Sequence, residues 1–268
     1  MVKHFSVLAF LPIGIWILCA GLFNNRPPAE FEIIKTRGQI SRSGKSNLLS
    51  TGQKIRSNER LSFGSPKDYA VVIDDSNALF MLRPLPDLKK YYATALPMVV
   101  GRRAVIQQFW QFRQFLAEND SIALLFGRHD FILDSQELQM NQDSFFYLEY
   151  LWKGDTIPKK LSFEGNRLHF DQSEIFRVYG EPIPPEEVVD SFTLYYYKAP
   201  LETSLRINRN ALWLIPVDLE LLDVETRIIM ENCAQMPRDS AIERVRAYIN
   251  NVYGLPDDDQ FAKWISRY

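Results

Sequence analysis

The strongest constraint on this chain lies at its start. No charged side chain occurs from Phe5 to Phe23, Lys3 and the terminal amine stand before that run, and Asn24-Asn25-Arg26-Pro27-Pro28 follows it. A helix needs about 20 apolar residues to cross the hydrocarbon core of a bilayer, and this run approaches that length. Residues 1–25 therefore read as a membrane anchor or signal segment. A secretory signal carries a shorter apolar stretch closed by small residues. Cleavage after Gly21 would put Cys19 and Gly21 at those positions. Lipidation would use Cys19, but Trp16, Ile17 and Leu18 stand before it where small residues are expected. An uncleaved single-pass helix through residues 5–23 is the preferred reading. Lys3 and the amine favour a cytoplasmic start, which places the bulk of the chain in an extracytoplasmic, periplasmic space; Arg26 works against that bias.

Behind the Pro27-Pro28 linker the pattern turns to short strands: "FEIIKT", "GQISR", "QKIRS", "ERLSF", "YAVVI" and "ALFMLRP". Ser43-Gly44-Lys45-Ser46-Asn47, Gly64-Ser65-Pro66 and Asp74-Asp75-Ser76-Asn77 separate them, and such residues favour turns for backbone reasons. Apolar residues alternate at Leu61/Phe63 and at Val71/Ile73. Residues 26–90 are thus expected to form a small antiparallel β-module, a sandwich or rolled sheet.

The order of these features resembles the FecR-type extracytoplasmic β-domain of bacterial envelope signalling proteins. That family shows a Gly-x-Val strand, a Leu-x-x-Gly-Asp turn, a strand pair, an Asp-Gly-Ser hairpin and a closing Leu-x-Leu strand. The corresponding stretches here are Gly38-Gln39-Ile40, Leu49 to Gly52, Leu61 to Phe63 with Tyr69 to Ile73, Asp75-Ser76-Asn77, and Leu79 to Leu82. The match spans residues 38–84. Gln53 stands where the family has an acid, and Ser76-Asn77 replaces Gly-Ser; Asn tolerates positive φ, so the hairpin survives. The resemblance implies a protein-contact or sensing module.

Residues 91–120 hold the first helical periodicity, Arg102 to Glu118, with Val105, Phe109, Phe112 and Leu116 at helical spacing and Ile106 alongside. Its aromatic stripe is expected in the core. Residues 121–268 then return to strands from Ile122 to Leu214 and close with helices. "KKLSFEGNRLHF" is the clearest hairpin, with Leu161 and Phe163 opposite Leu168 and Phe170, and Lys153-Gly154-Asp155 marks another turn. Leu219 to Cys233, a helix opened by the Ser240–Glu243 capping box, and Gln260 to Tyr268 complete the chain, with Pro237 and Gly254 as breaks. The fold expected is α+β and mainly β: an N-terminal helix, a small antiparallel module, an amphipathic helix, a second antiparallel sheet and C-terminal helices.

Catalytic chemistry finds little support. His4 belongs to the N-terminal segment, leaving His129 and His169, and neither has further ligands at metal spacing. Arg128-His129-Asp130 resembles a kinase catalytic-loop triplet but lacks the accompanying motifs. His169, within a hairpin, is expected to face solvent. Asp257-Asp258-Asp259 reads as helix capping and Asp74-Asp75 as a turn. With two cysteines, one in the N-terminal run, no disulfide framework exists, and Cys233 reads as a buried thiol. No catalytic, cofactor or metal residue is assigned. A net charge of −2 argues against nucleic acid as partner.

The function expected is therefore a non-catalytic, membrane-tethered extracytoplasmic binding or sensing protein of a bacterial-type envelope, working through a protein partner. The alternatives are an extracytoplasmic hydrolase acting on glycan or peptide, and a structural subunit of an envelope assembly.

Overall fold

The computed structural model describes residues 28–88, 90–98, 105–134, 136–188 and 191–268. The expected anchor, residues 5–23, lies outside them. Among the described residues no helix is long and apolar enough to cross a membrane.

The N-terminal part is built of seven strands: β1 (Glu30–Arg37), β2 (Ile40–Arg42), β3 (Lys54–Arg56), β4 (Leu61–Phe63), β5 (Tyr69–Asp74), β6 (Leu79–Pro84) and β7 (Tyr91–Ala95). They form an antiparallel sheet in the order β3-β1-β5-β6-β7 and a β2-β4 pair. Residues 91–95, expected in the helical connection, instead close this sheet. Ile33, Ile40, Leu49, Ile55, Leu61, Phe63, Val72 and Leu82 fill the space between the sheet and the β2-β4 pair. Both turns singled out in the sequence depend on left-handed backbone. Gly52 has φ +81°, and its N–H donates to the Ile33 carbonyl at 2.7 Å. Asn77 has φ +63°, while Asp74 Oδ1 accepts from the Ser76 and Ala78 N–H groups at 2.9 and 2.8 Å.

One irregularity decides what the other face of this sheet does. The β1–β5 register shifts between Ile33 and Lys35, so that Ile33 pairs with Val72 and Lys35 with Val71. A bulge re-aims side chains by breaking the alternation. Without it Lys35 would share the Ile33 face and enter the apolar interior. With it, Ile34 and Lys35 both turn to the face carrying Val71 and Ile73.

The remaining chain runs α1 (Phe109–Glu118), β8 (Ser121–Leu124), β9 (Arg128–Ile132), β10 (Ser144–Trp152), β11 (Asp155–Lys160), β12 (Phe163–Glu164), β13 (Arg167–Asp171), α2 (Gln172–Ile175), β14 (Arg177–Val178), β15 (Glu181–Pro182), β16 (Thr193–Lys198), β17 (Thr203–Arg206), β18 (Trp213–Pro216), α3 (Leu219–Asn232), α4 (Arg238–Val252), β19 (Leu255–Pro256) and α5 (Asp258–Ile265). Strand makes up 40% and helix 26%, so the fold is mixed α+β and mainly β. α1 begins at Phe109, with Val105 to Gln108 non-helical; Gln108 and Gln111 cap it reciprocally. Phe112 and Leu116 face inward as expected, whereas Val105 and, from the aromatic stripe, Trp110 are exposed. α4 begins at Arg238 rather than at Ser240, because Pro237 already supplies its N-cap position.

Two antiparallel sheets, β11-β10-β16-β17 and β12-β13-β9, enclose a core with α1. The chain crosses between them at Leu161-Ser162, which splits "KKLSF" across two sheets; Phe163 still pairs with Leu168. Not every sheet here is antiparallel. β8 lies between β18 and β19, parallel to both. A strand paired this way is covered on both faces and reads as a continuous apolar run. Ile122 and Leu124 point into the core of the two antiparallel sheets, and Ala123 and Leu125 into the core formed by α3, α4, α5 and the N-terminal sheet. In that second core Ile34, Val71, Ile73, Leu79 and Met81 meet Leu222, Ile229, Val245, Ile249 and Trp264.

Backbone geometry predicts how three substitutions rank. Gly52→Val is expected to cost about 1–3 kcal/mol through positive φ alone, since open space surrounds the position. Lys54→Ala, exposed and paired with Glu30, should stay within about 0.5 kcal/mol. Gly254→Ala should cost more than Gly52→Val, because its φ is +98° and a Cβ would stand 2.4 Å from the Ser121 carbonyl carbon. Thermal melts check the ranking. A Gly52→Val melting temperature equal to wild type would remove the tight turn.

Candidate binding surface

The sequence-derived histidines meet different fates. His129 and His169 occupy adjacent antiparallel strands, where His169 is opposite Asp130 and Phe170 opposite His129. The alternation sends Arg128, Asp130, Arg167 and His169 to one face and His129, Phe131, Leu168 and Phe170 to the other. His169 does not face solvent; it is buried. Asp130 explains why. Its Oδ1 accepts from His169 Nδ1 at 2.8 Å and from Arg128 Nε at 2.7 Å, and its Oδ2 accepts from Arg167 at 3.2 Å. A solvent-facing alternation position has become a charged clamp between β9 and β13. Burial works against the Asp130 charge, but the hydrogen bonds from Arg128, His169 and Arg167 outweigh it and hold the carboxyl below its ordinary pKa.

Ser162, just before β12, sits beside His169, its carbonyl accepting from the His169 N–H at 3.0 Å. Asp130, His169 and Ser162 therefore lie side by side. They do not form a nucleophile relay. The imidazole is already engaged by charged groups: Arg128 Nη2 lies 2.6 Å from Nδ1 and 3.2 Å from Nε2, beside the 2.8 Å contact of Nδ1 with Asp130. The Ser162 hydroxyl donates to Glu174 at 2.9 Å instead. A serine nucleophile needs its proton directed at the imidazole.

On the opposite face His129 packs on Phe131, ring centroids 4.6 Å apart, and its Nδ1 has no hydrogen-bond partner among the described residues. Burial depresses its pKa, against an opposing pull from Asp257. Asp257 itself caps α5, accepting from the Gln260 N–H at 2.9 Å, as the acidic run suggested. Cys233 is buried, and that burial raises its thiol pKa. Among the described residues no group of His, Cys, Asp and Glu could hold a metal ion.

The surface that sequence reasoning missed lies on the outer side of the β11-β10-β16-β17 sheet. Phe146, Leu148, Tyr150, Leu194 and Tyr196 take its inner positions. The alternate residues Phe145, Tyr147, Tyr195 and Tyr197 therefore point outward, all partly exposed. Register places Phe145 opposite Tyr197 and Tyr147 opposite Tyr195. Their rings form two cross-strand pairs: Tyr147 and Tyr195 stack at 5.0 Å and 12°, and Phe145 and Tyr197 meet at 5.1 Å. Lys160 stands over the Phe145 ring at 4.0 Å, and Arg206 lies opposite Tyr195. Tyr195 has its pKa raised by partial burial and then by the charge of Glu149. At the sheet margin, β17 is exposed along all four residues and pairs only with β16 among the described strands. The signal was in the sequence. "SFFYLEYLW" and "TLYYYK" carry aromatics at odd and even positions alike, more than one buried face requires.

Compared with protein-family models, curated proteins and solved structures, the chain matches none of them. The chain is a mixed, mainly β molecule with a ring-rich sheet face, an exposed edge strand and a charged strand clamp.

His129 gives this region a pH signature. In the unfolded chain it takes up a proton near its ordinary pKa of about 6.5, and in the fold it resists doing so. The unfolded state then binds more protons, so stability falls as pH drops below about 6.5 toward the depressed folded value. Denaturant midpoints between about pH 7 and pH 5 should fall less steeply in His129→Gln than in wild type. Equal slopes would show that His129 does not supply the dependence.

Proposed function

We propose that this chain is a non-catalytic, membrane-tethered binding protein of a bacterial-type cell envelope. Residues 5–23 hold it in the membrane, a FecR-like module at residues 26–90 follows, and the bulk of the chain works outside the cytoplasm through contact with another protein. The observation that carries the contact part is the outer face of β10 and β16 beside the exposed strand β17. Tyr and Phe offer large rigid contact area with little side-chain entropy to lose, and they concentrate in the cores of protein interfaces. An exposed edge strand offers a row of backbone groups to an extended partner segment, with the adjacent rings available to its side chains. Lys160 and Arg206 at the margins favour acidic residues in that segment. The uncharged N-terminal run supports the tether, and the turns at Gly52 and Asn77 agree with the module resemblance.

A photocrosslinking residue placed at Tyr197 of the full-length chain in native membranes tests this reading. We expect a discrete protein adduct that is lost in Tyr147→Ala/Tyr195→Ala, while that double variant loses only about 1–2 kcal/mol of stability from the missing ring pair. An adduct of equal yield in the double variant, or none at any position on this face, would overturn the contact surface. Recovery of the full-length chain in the cytosolic fraction would overturn the tether.

A further inference from the structure

A second feature, sharing no residue with the aromatic face, points to a different class of ligand. Between the connection from β9 to β10 and the β12–β13 hairpin tip lies a depression of about 340 Å³, within the size range of small-molecule sites. Gln136, Gln139, Asn141 and Asn166 ring it, Asp134 supplies its carboxylate, and Leu138 is its buried floor. Among the described residues no lysine or arginine lines it.

The amides are held by their backbones and left open at their side chains. Gln139 is anchored through its carbonyl, which accepts from the Tyr196 hydroxyl at 2.7 Å. Asn166 is anchored through its carbonyl, which accepts from the Leu133 N–H at 2.8 Å. Asn141 Oδ1 accepts from the Asp143 and Ser144 N–H groups, both at 2.8 Å. That fixes the orientation of its amide and leaves its NH2 as a donor. The side-chain amides of Gln136, Gln139 and Asn166 make no hydrogen bond among the described residues, so each keeps a donor and an acceptor for a ligand. A carboxamide presents donor and acceptor side by side, which matches a pair of neighbouring hydroxyl groups. A phosphate or carboxylate ligand would need cations here, and the carboxylate of Asp134 repels it.

We propose that this depression is a subsite for an uncharged saccharide. The hydroxyl groups of one sugar ring bond to Gln139, Asn166 and Asn141, and its apolar face rests toward Leu138. The inference does not rest on the protein-contact reading, and each can fail alone.

The test is calorimetric titration of the full-length chain in micelles of a detergent without a sugar headgroup. The probes are two neutral tetrasaccharides, β-1,4-linked N-acetylglucosamine and β-1,4-linked glucose, with inorganic phosphate as the anionic comparison. We expect saturable binding of at least one tetrasaccharide, and preference between the two shows whether acetamido groups are read. Phosphate should neither bind nor compete. Gln139→Ala and Asn166→Ala should each weaken binding about 3- to 10-fold, as loss of one hydrogen bond implies, and the pair together should weaken it further. Both side chains are exposed and only their main chains hold the fold, so the melting temperatures should match wild type. Tyr147→Ala, on the aromatic face, should leave the affinity unchanged. Absence of saturable binding of both tetrasaccharides at about 10 mM, full affinity in the Gln139→Ala/Asn166→Ala protein, or competition by phosphate would overturn the assignment.

Discussion

Lys35 is delivered by a single bulged residue to a carboxylate 190 residues away in sequence, and the arrangement of the two halves follows from that pairing. Its Nζ donates to Glu225 Oε1 at 2.8 Å and to the Tyr253 hydroxyl at 2.5 Å, and Tyr253 donates to Glu225 Oε2 at 2.7 Å. Lys35 also stands 4.4 Å from the Tyr253 ring centroid. Glu225 is almost wholly buried, with 4% of its side chain accessible. Burial and then the Glu225 charge push the Tyr253 hydroxyl pKa far upward, so it serves as a donor at any ordinary pH. A buried ion pair is weak as a net source of stability, because desolvation consumes much of the Coulomb gain. Its force lies in what happens when one partner is missing, a cost of about 3–5 kcal/mol. Any packing of the N-terminal sheet that strands Lys35 or Glu225 in an apolar interface is excluded by that margin. The hydrophobic contacts of Ile34, Val71, Ile73 and Met81 against the helices supply adhesion, and the ion pair supplies register.

From this joint the rest of the layering proceeds inward. α3 and α4 rest on the N-terminal sheet on one side and on β8 on the other, and β8 in turn backs the core of the two antiparallel sheets. Gly254 permits this stacking, since its missing Cβ lets the end of α4 approach the Ser121 backbone. The aromatic face lies outermost, beyond the core that α1, β9 and β13 share with it. It is thereby held on a rigid sheet, the support a recognition surface needs if its rings are to be ordered before contact.

Much of this was legible from residues. The strand rhythm from Phe31 to Pro84, the turns at Gly52 and Asn77, the Lys153-Gly154 and Gly165-Asn166 hairpins, and most of the inward faces of α3, α4 and α5 follow from local periodicity and turn chemistry; Leu221, which periodicity groups with Leu222 and Ile229, is exposed instead. What was hidden is non-local. "IALL" reads equally as an antiparallel or a parallel strand, and only its burial on both faces betrays the partners β18 and β19. His169 alternates as a solvent-facing residue should. It is buried because Asp130, in a strand distant in sequence, gathers it with two arginines. The bulge at Ile34 has no sequence signature, so Lys35 could not be matched to Glu225 in advance. Among the surfaces, the aromatic excess of β10 and β16 was readable, whereas the amide-lined depression is assembled from a loop and a hairpin tip that spacing alone cannot unite.

The Lys35–Glu225–Tyr253 network locks the N-terminal sheet to the C-terminal helices as one cooperative unit. Hydrogen exchange of wild type against Glu225→Gln, a change of charge at nearly constant shape, tests it directly, because exchange resolves which segments open together. Loss of the charge should lower protection in parallel over residues 69–84 of the sheet and residues 219–252 of the helices, with the β10 and β16 amides least affected. Unchanged protection in residues 69–84, or loosening of the helices alone, would contradict the account.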